Sequence, residues 1–170
     1  MRETQAREEI CRVGRSLFER GYVHATAGNI SVRLDDADGG GFLITPTDAC
    51  LGFLDPARLA RVDADGRQLG GDRASKTLVL HRRIYDSARR FDPDTRCVIH
   101  THSTHCVALS LRAPAAELLA PITPYFVMKV GHVPRVGYHR PGSAEAAEAV
   151  AAAIADHGTR GTPLRAVMLD

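Results

Sequence analysis

The sequence predicts an α/β protein of the α+β type, in which helices and a largely antiparallel central sheet form three αβα layers. Strand-like runs 29–34 and 42–45 are separated by a turn-rich stretch. Runs 59–63 and 68–69 flank the turn signal Ala64-Asp65-Gly66. Strands joined by such short turns pair as antiparallel hairpins. Helical spacing of apolar residues outside these runs predicts the helices.

Three helices follow from local patterns. Residues 4–20 carry apolar side chains at helical spacing and precede Gly21, a favourable C-cap. Residues 75–90 have an apolar stripe on one helical face. Residues 144–156 are rich in Ala and Glu, and Ser143 before them suits an N-cap.

Short apolar runs predict the remaining elements. The β-branched run 97–100 is expected to be a buried strand, and residues 103–110 a short helix or turn. Residues 126–130 and 133–136 are expected to be strand segments, and residues 166–169 to begin another strand.

The composition indicates one globular domain over residues 1–170, with 44% hydrophobic and 25% charged residues. A net charge of +2 offers no basic surplus for nucleic acid. No apolar run approaches the roughly 20 residues of a membrane span, and the N-terminus lacks the apolar core of a signal peptide. The four scattered cysteines suggest reduced thiols. We therefore expect a cytoplasmic protein without nucleic-acid or membrane partners.

The strongest chemical signal is the pair His100 and His102 at the end of a hydrophobic strand. Side chains two residues apart on a strand point to the same face. Two imidazoles on one face supply half of a zinc site, since Zn²⁺ takes three or four N, O or S ligands. The alternative is two polar residues where a strand emerges into solvent, and the metal interpretation is favoured.

Three loops carry groups that suit an anion, at residues 27–31, 44–48 and 73–77. A glycine frees backbone N–H groups, hydroxyls donate hydrogen bonds, and a helix N-terminus attracts negative charge. Each loop has a structural alternative, namely a turn or an ordinary cap. Together with the histidine pair, the loops predict a metal-dependent enzyme for a phosphorylated or acidic small molecule.

The order of these motifs resembles the class II aldolase/adducin family. AGNIS, ITPT, a Ser-Lys segment, LxLHxxIY and VIHTHSTxxxALS occur in the family's order between residues 10 and 143. GDRASK, HSTH and the segment ITPYFVMKVGHVPRVGYHRPGS resemble one branch, the 3-oxo-tetronate 4-phosphate decarboxylases.

This resemblance implies a class II aldolase-like fold and a carbon–carbon lyase. The implied reaction is decarboxylation of a 3-oxo-tetronate 4-phosphate through a metal-stabilised enediolate. The resemblance also implies one divalent ion per chain, Zn²⁺ with Mn or Co as alternatives. It further implies a small phosphorylated sugar or sugar-acid substrate, and a homotetramer with active sites between subunits.

The resemblance assigns roles by position. His100 and His102 match the metal-binding histidines, and Gly28 and Asn29 match the loop that binds the substrate phosphate. The other substrate-pocket positions are Thr45, Thr47, Ser75 and Lys76.

Two positions depart from the family pattern. Thr77 stands where family members place a catalytic Glu, and a neutral hydroxyl cannot supply a carboxylate's proton chemistry near neutral pH. Asp48 stands where a Gly is usual, and a carboxylate beside a phosphate site repels the ligand unless it faces away. Lys76 or His105 could then transfer the proton instead.

The third metal ligand is open. The family's last metal histidine follows a strand resembling residues 166–169, and this sequence stops at Asp170, so the sequence is cropped or the ligand is absent. His157, in an HG pair, is interpreted as a helix C-terminus, and His81 as a core residue. The remaining candidates are His105, His132 and His139.

Two alternatives to the decarboxylase stay open. One is an aldolase that cleaves a ketose phosphate to dihydroxyacetone phosphate and an aldehyde. The other is a catalytically impaired family member that acts in binding or assembly, which Thr77 and Asp48 favour. Decarboxylation is preferred over aldol chemistry because it needs only a proton donor after CO₂ leaves.

Overall fold

The structure is a computed structural model and describes residues 2–112, 116–120 and 122–170. The chain divides into two compact units. The first comprises residues 1–78 and 96–104, and the second comprises residues 79–95 and 105–170.

The first unit contains a five-stranded antiparallel sheet. Its elements are helix α1 (Glu3–Glu19) and strands β1 (Asn29–Arg33), β2 (Phe42–Ile44), β3 (Ala60–Val62), β4 (Gln68–Gly70) and β5 (Cys97–His100). The strand order is β4-β3-β2-β1-β5, and every neighbouring pair is antiparallel. The two predicted hairpins, β1–β2 and β3–β4, are confirmed.

A large apolar core packs α1 against the sheet of this unit. Ile10 of α1 packs with Ile30 of β1 and Leu43 of β2, and all three side chains are at most 1% exposed. Leu51, from a 3₁₀ turn (Leu51–Phe53), joins the same cluster. Burying side chains of this size contributes about 1.5–3 kcal/mol each. The core therefore fixes β1 and β2, the strands next to the predicted loops 27–31 and 44–48.

The pairing of β1 with β5 brings distant motifs together. Asn29 lies opposite His100, and Ile30 lies opposite Ile99. The beginning of β1 is consequently adjacent to the end of β5. Local sequence patterns did not predict this pairing.

The second unit contains a small parallel sheet and four helices, two of which begin with a residue of the first unit. Its elements are α2 (Leu78–Ala88), α3 (Thr104–Ser110), α4 (Pro124–Lys129), α5 (Ala144–Thr159), β6 (Arg135–Val136) and β7 (Met168–Leu169). Leu80 of α2 and Val150 of α5 belong to its apolar core. The Ser143 hydroxyl accepts the backbone N–H of Ala146, as the predicted N-cap requires.

Two expectations about elements were wrong. Residues 126–130 were expected to be a strand, but α4 occupies Pro124–Lys129. Thr123 caps this helix by accepting the backbone N–H of Phe126, and Pro124 supplies a favourable first turn. Strand β5 was expected to be buried, but Ile99 is 45% exposed. The reason is that β5 lies at the edge of the sheet formed by the described residues.

The helices of this chain are short or amphipathic. Within residues 2–112, 116–120 and 122–170, no helix has the length and apolar character required to cross a bilayer.

Candidate active site

The predicted histidine pair lies at the end of β5. The Nε2 atoms of His100 and His102 are 2.9 Å apart, and their ring centroids are separated by 4.8 Å. His100 is the last residue of β5, and His102 lies two residues beyond it, where the chain brings the two imidazoles together. The two nitrogens therefore converge on one point in space.

The electrostatics of this pair favour a neutral His100 imidazole. Burial, and next the charge of His102, lower the pKa of His100 to about 4. His100 is consequently neutral at pH 7, which is the form that binds metal. One hydrogen bond joins the two Nε2 atoms, so one ring donates and the other accepts.

The pair fits a divalent ion as two of its ligands. Zn²⁺ binds imidazole nitrogens at about 2.0–2.1 Å. One ion can therefore reach both nitrogens across their 2.9 Å separation. Over the described part of the chain, no three His, Cys, Asp or Glu side chains are grouped so that they could hold a metal. The third ligand is not identified among these residues.

Gly28 makes the close approach of β1 to β5 possible. Its φ is +85°, a left-handed conformation that favours glycine. A Cβ atom here would lie 2.8 Å from the backbone oxygen of His100 and 2.9 Å from Val23 Cγ1. The glycine of the AGNIS motif is therefore required by packing against β5.

Asn29, Ser75 and Thr77 form a hydrogen-bonded chain of side chains. Thr77 Oγ1 donates to Asn29 Oδ1 at 2.9 Å, and Ser75 Oγ is 2.9 Å from Thr77 Oγ1. Asn29 and Ser75 are each 8% exposed. The predicted anion loops 27–31 and 73–77 therefore meet at the beginning of β1, the strand that pairs with β5.

The two threonines of the ITPT motif differ in position. Thr45 is fully buried, and its Oγ1 accepts the backbone N–H of Ile30 at 3.1 Å. That contact ties β1 to the end of β2. Thr47 is partly buried, and its backbone N–H donates to the carbonyl oxygen of Arg73. Thr47 also lines a cavity of about 280 Å³.

The cavity beside Thr47 has an acidic lining. Asp48, Asp55 and Asp72 line it, together with Arg58, which pairs with Asp72 at 2.6 Å. Asp48 has a φ of +58°, so the backbone at the family's usual glycine keeps a conformation that glycine prefers. Sequence reasoning assigned no role to Asp55, Arg58 or Asp72, because charges in turns carry no spacing signal.

The remaining predicted residues have varied settings. Lys76 is exposed, and no hydrogen bond or ion pair to its ammonium is found among the described residues. His132 Nδ1 lies 3.1 Å from Glu117 Oε1. His81 is 1% exposed, which confirms a core residue, and His157 lies in the last turn of α5 as predicted.

Comparison with known proteins identifies the family. The family description "Class II Aldolase and Adducin N-terminal domain" matches residues 8–169. This chain belongs to the class II aldolase and adducin family. The resemblance drawn from the five motifs is thereby confirmed.

Curated relatives agree with the branch that the sequence suggested. The chain is 53% identical over 170 residues to the 3-oxo-tetronate 4-phosphate decarboxylase of Cupriavidus necator, covering 99% of this chain and 71% of that protein. It is 43% identical over 157 residues to the enzyme of the same name from Escherichia coli K12, covering 91% of this chain and 71% of the relative. An L-fuculose phosphate aldolase from Methanococcus vannielii is 34% identical over 149 residues, covering 88% and 76%.

Solved structures support the fold. The crystal structure of YgbL from Escherichia coli matches with a TM-score of 0.81 and 40% identity, covering 98% of this chain and 75% of that chain. The L-fuculose-1-phosphate aldolase of Thermus thermophilus matches with a TM-score of 0.75 and 31% identity, covering 95% and 73%. The predicted α/β fold of the class II aldolase type, with its antiparallel sheet, is confirmed.

Proposed function

We propose that the protein is a carbon–carbon lyase that decarboxylates a 3-oxo-tetronate 4-phosphate. The observation that carries this proposal is the convergence of His100 and His102 at 2.9 Å, on a strand paired with Asn29. The names and identities of the curated relatives support a decarboxylase. The family supports dependence on a divalent metal ion, which we take to be zinc.

The reaction follows from the chemistry of a β-keto acid. The C1–C2 bond breaks, C1 leaves as CO₂, and the electron pair moves to the C3 carbonyl oxygen. The product is an enediolate of three carbons that still carries the phosphate. Protonation at C2 yields dihydroxyacetone phosphate. The site must therefore bind a dianionic phosphate, neutralise a developing oxyanion and deliver one proton.

The residues divide these tasks. His100 and His102 would hold the divalent ion, and a bound ion would supply Lewis-acid stabilisation for charge that develops on a substrate oxygen. Asn29 donates a hydrogen bond to a substrate oxygen. The backbone at Gly28 and the exposed Lys76 ammonium bind the phosphate, for which a free cation and freed N–H groups are suited.

Proton delivery falls to a group other than Thr77. The Thr77 hydroxyl already donates to Asn29, and a hydroxyl is a poor acid near neutral pH. We assign the proton to Lys76, with His105 as the alternative donor. Lys76→Met is then expected to lower kcat as well as raise KM, because the residue both binds and protonates the substrate.

A second function, ligand binding without turnover, is favoured by one observation. The position of the family's catalytic Glu carries Thr77, and its hydroxyl is held by Asn29 and Ser75. In such a protein the fold and the anion loops would persist while proton transfer was lost.

We also propose a homo-oligomer, a tetramer with active sites between subunits, in the cytoplasm. Helices α3 and α4 and their flanks support the oligomer, because they expose large apolar side chains that a second copy could cover. These side chains are Leu111 (83% exposed), Ile122 (79%), Tyr125 (77%) and Met128 (68%).

The test is a product assay on purified protein supplied with Zn²⁺ and 3-oxo-tetronate 4-phosphate. Release of CO₂ with formation of dihydroxyacetone phosphate, lost in His102→Ala, is the expected result. His24→Ala serves as a control, since His24 is exposed in a loop and has no assigned role. Cleavage of a ketose phosphate without CO₂ release would instead establish an aldolase. Substrate binding without either reaction would establish the binding function.

A further inference from the structure

The hydrogen bonds that hold the Asn29 side chain have a defined direction. Thr77 has one hydroxyl proton, and it is donated to Asn29 Oδ1 at 2.9 Å. The contact of 2.9 Å between Ser75 and Thr77 must then be donated by Ser75. Ser75 therefore donates to Thr77, and Thr77 donates to the side-chain carbonyl oxygen of Asn29.

The orientation of the Asn29 amide, with Oδ1 toward Thr77, decides which of its ends is free. A side-chain amide has one acceptor oxygen and a nitrogen with two donor hydrogens. With Oδ1 engaged by Thr77, the Nδ2 group is the end left to donate to another oxygen. In an amide rotated by about 180°, Nδ2 would donate to the Thr77 hydroxyl and Oδ1 would be the free end. The structure has the other orientation, in which Oδ1 accepts from Thr77 and Nδ2 is free to donate.

The register of the sheet places this donor beside the histidine pair. Asn29 and His100 are directly opposite partners in the antiparallel β1–β5 pairing. Directly opposite side chains share one face of the sheet, with Cβ atoms about 4.5–5.5 Å apart. The Asn29 amide and the His100 imidazole are therefore neighbours on the face where the proposed reaction takes place.

The local structure makes Thr77 a rigid support. Its β-branched side chain has few χ1 rotamers. Its backbone N–H is bonded to Ser75 Oγ at 3.3 Å, just before α2 begins. An ionised carboxylate at this position would have no proton to donate to Asn29 Oδ1. Thr77 is thus suited to holding its neighbour in place, in contrast to the proton chemistry of a Glu.

We propose that Thr77, supported by Ser75, is a positioning residue that presents the Asn29 Nδ2 hydrogens to an anionic oxygen of the substrate. This inference rests on the proposed function, which supplies that oxygen. The oxygen belongs either to the phosphate group or to the reacting carbonyl. The two sources differ in their kinetic signature.

The first test is a double-mutant cycle in turnover with Thr77→Val and Asn29→Ala. Thr77→Val keeps the shape and removes the hydroxyl, and it is expected to lower kcat/KM about 10- to 100-fold. Thr77→Ser keeps the hydroxyl and is expected to retain most of the wild-type kcat/KM. A rise in KM alone assigns the oxygen to the phosphate, and a fall in kcat assigns it to the reacting carbonyl.

The cycle separates positioning from other roles. If Thr77 acts through Asn29, Thr77→Val has no further effect in the Asn29→Ala protein. Thr159→Val is the matched control, since the Thr159 hydroxyl also donates one hydrogen bond, to Asp156 at the end of α5. Equal losses from Thr77→Val in both backgrounds, or wild-type kcat and KM in Thr77→Val, would overturn the inference.

A second measurement does not depend on turnover. In ¹⁵N-labelled protein, the Asn29 Nδ2 resonances are expected to shift in Thr77→Val and to return in Thr77→Ser. This result supports positioning even in a protein that turns over no substrate, so failure of the proposed function is separable. Asn29 Nδ2 resonances that are unchanged in Thr77→Val would refute the positioning role by themselves.

Discussion

Replacing Gly28 with alanine is expected to destabilise the protein through a clash with the strand that carries the histidine pair. The new Cβ atom would lie 2.8 Å from the backbone oxygen of His100 and 2.9 Å from Val23 Cγ1. Contacts below 3.0 Å are essentially never seen for real Cβ atoms, so a neighbour must move. One of these neighbours is the backbone of β5, which is held by its pairing with β1 and cannot move freely.

The magnitude has two parts. Gly28 has a φ of +85°. Holding a residue with a Cβ in this left-handed region costs about 1–2 kcal/mol. Overpacking against backbone costs about 1–3 kcal/mol more. We therefore expect Gly28→Ala to lower the free energy of unfolding by about 2–5 kcal/mol.

Gly21→Ala is a control that isolates the clash. Gly21 also has a positive φ, +72°, but a Cβ atom there would have no neighbour within 4 Å. This variant is expected to lose only the conformational part, about 1–2 kcal/mol.

The assay is equilibrium urea denaturation of the two variants and the wild type. With an m-value of about 2 kcal/mol/M, the midpoints of the two variants should differ by about 0.5–1.5 M. Equal midpoints would refute the reasoning, because they would mean that Gly28 is not in contact with β5.

Three substitutions elsewhere test other parts of the structure. Glu3 accepts hydrogen bonds from Arg7 and Arg61. Burial acts to raise the pKa of Glu3, but the two arginines outweigh burial, and the pKa is lowered overall. The stability that Glu3 contributes is therefore complete above the usual glutamate pKa and is lost as pH falls through the lowered value. Glu3→Gln should cost about 1 kcal/mol at pH 7, as for a partly exposed pair, and should flatten the acid side of the stability profile in urea denaturation. Ser143→Ala removes the N-cap of α5. It should cost about 1 kcal/mol in the same assay, whereas an unchanged midpoint would contradict the cap. Met128→Glu places a charge on the exposed apolar face and should reduce the oligomer size measured by light scattering. An unchanged size would contradict an interface at this face.

The elements that follow from short patterns were predictable from the sequence. Both hairpins and the helices α1, α2 and α5 depend on neighbouring residues, and their predicted ranges agree with the structure to within three residues at each end. Helix α4 was missed because its apolar and β-branched residues favour a strand, while the cap at Thr123 decides for a helix. The side-chain cap adds a hydrogen bond that intrinsic propensity does not count.

The site was predictable in part for the same reason. The spacing of two residues suggested that His100 and His102 lie together, although β5 ends at His100 and His102 falls beyond the strand. The contact between Asn29 and Thr77 joins residues 48 positions apart, which no local pattern encodes. The exposure of β5 also depends on the strand order of the sheet, which forms through long-range pairing.

The metal content of the purified protein tests the central claim most directly. After incubation with Zn²⁺ and removal of unbound ions, mass spectrometry should find about one ion per chain in the wild type and in His24→Ala. The ion should be absent from His102→Ala, because one of the two converging nitrogens is removed. A wild-type protein that stays free of metal, or a His102→Ala protein that binds as much as the wild type, would contradict a metal-dependent site at this histidine pair.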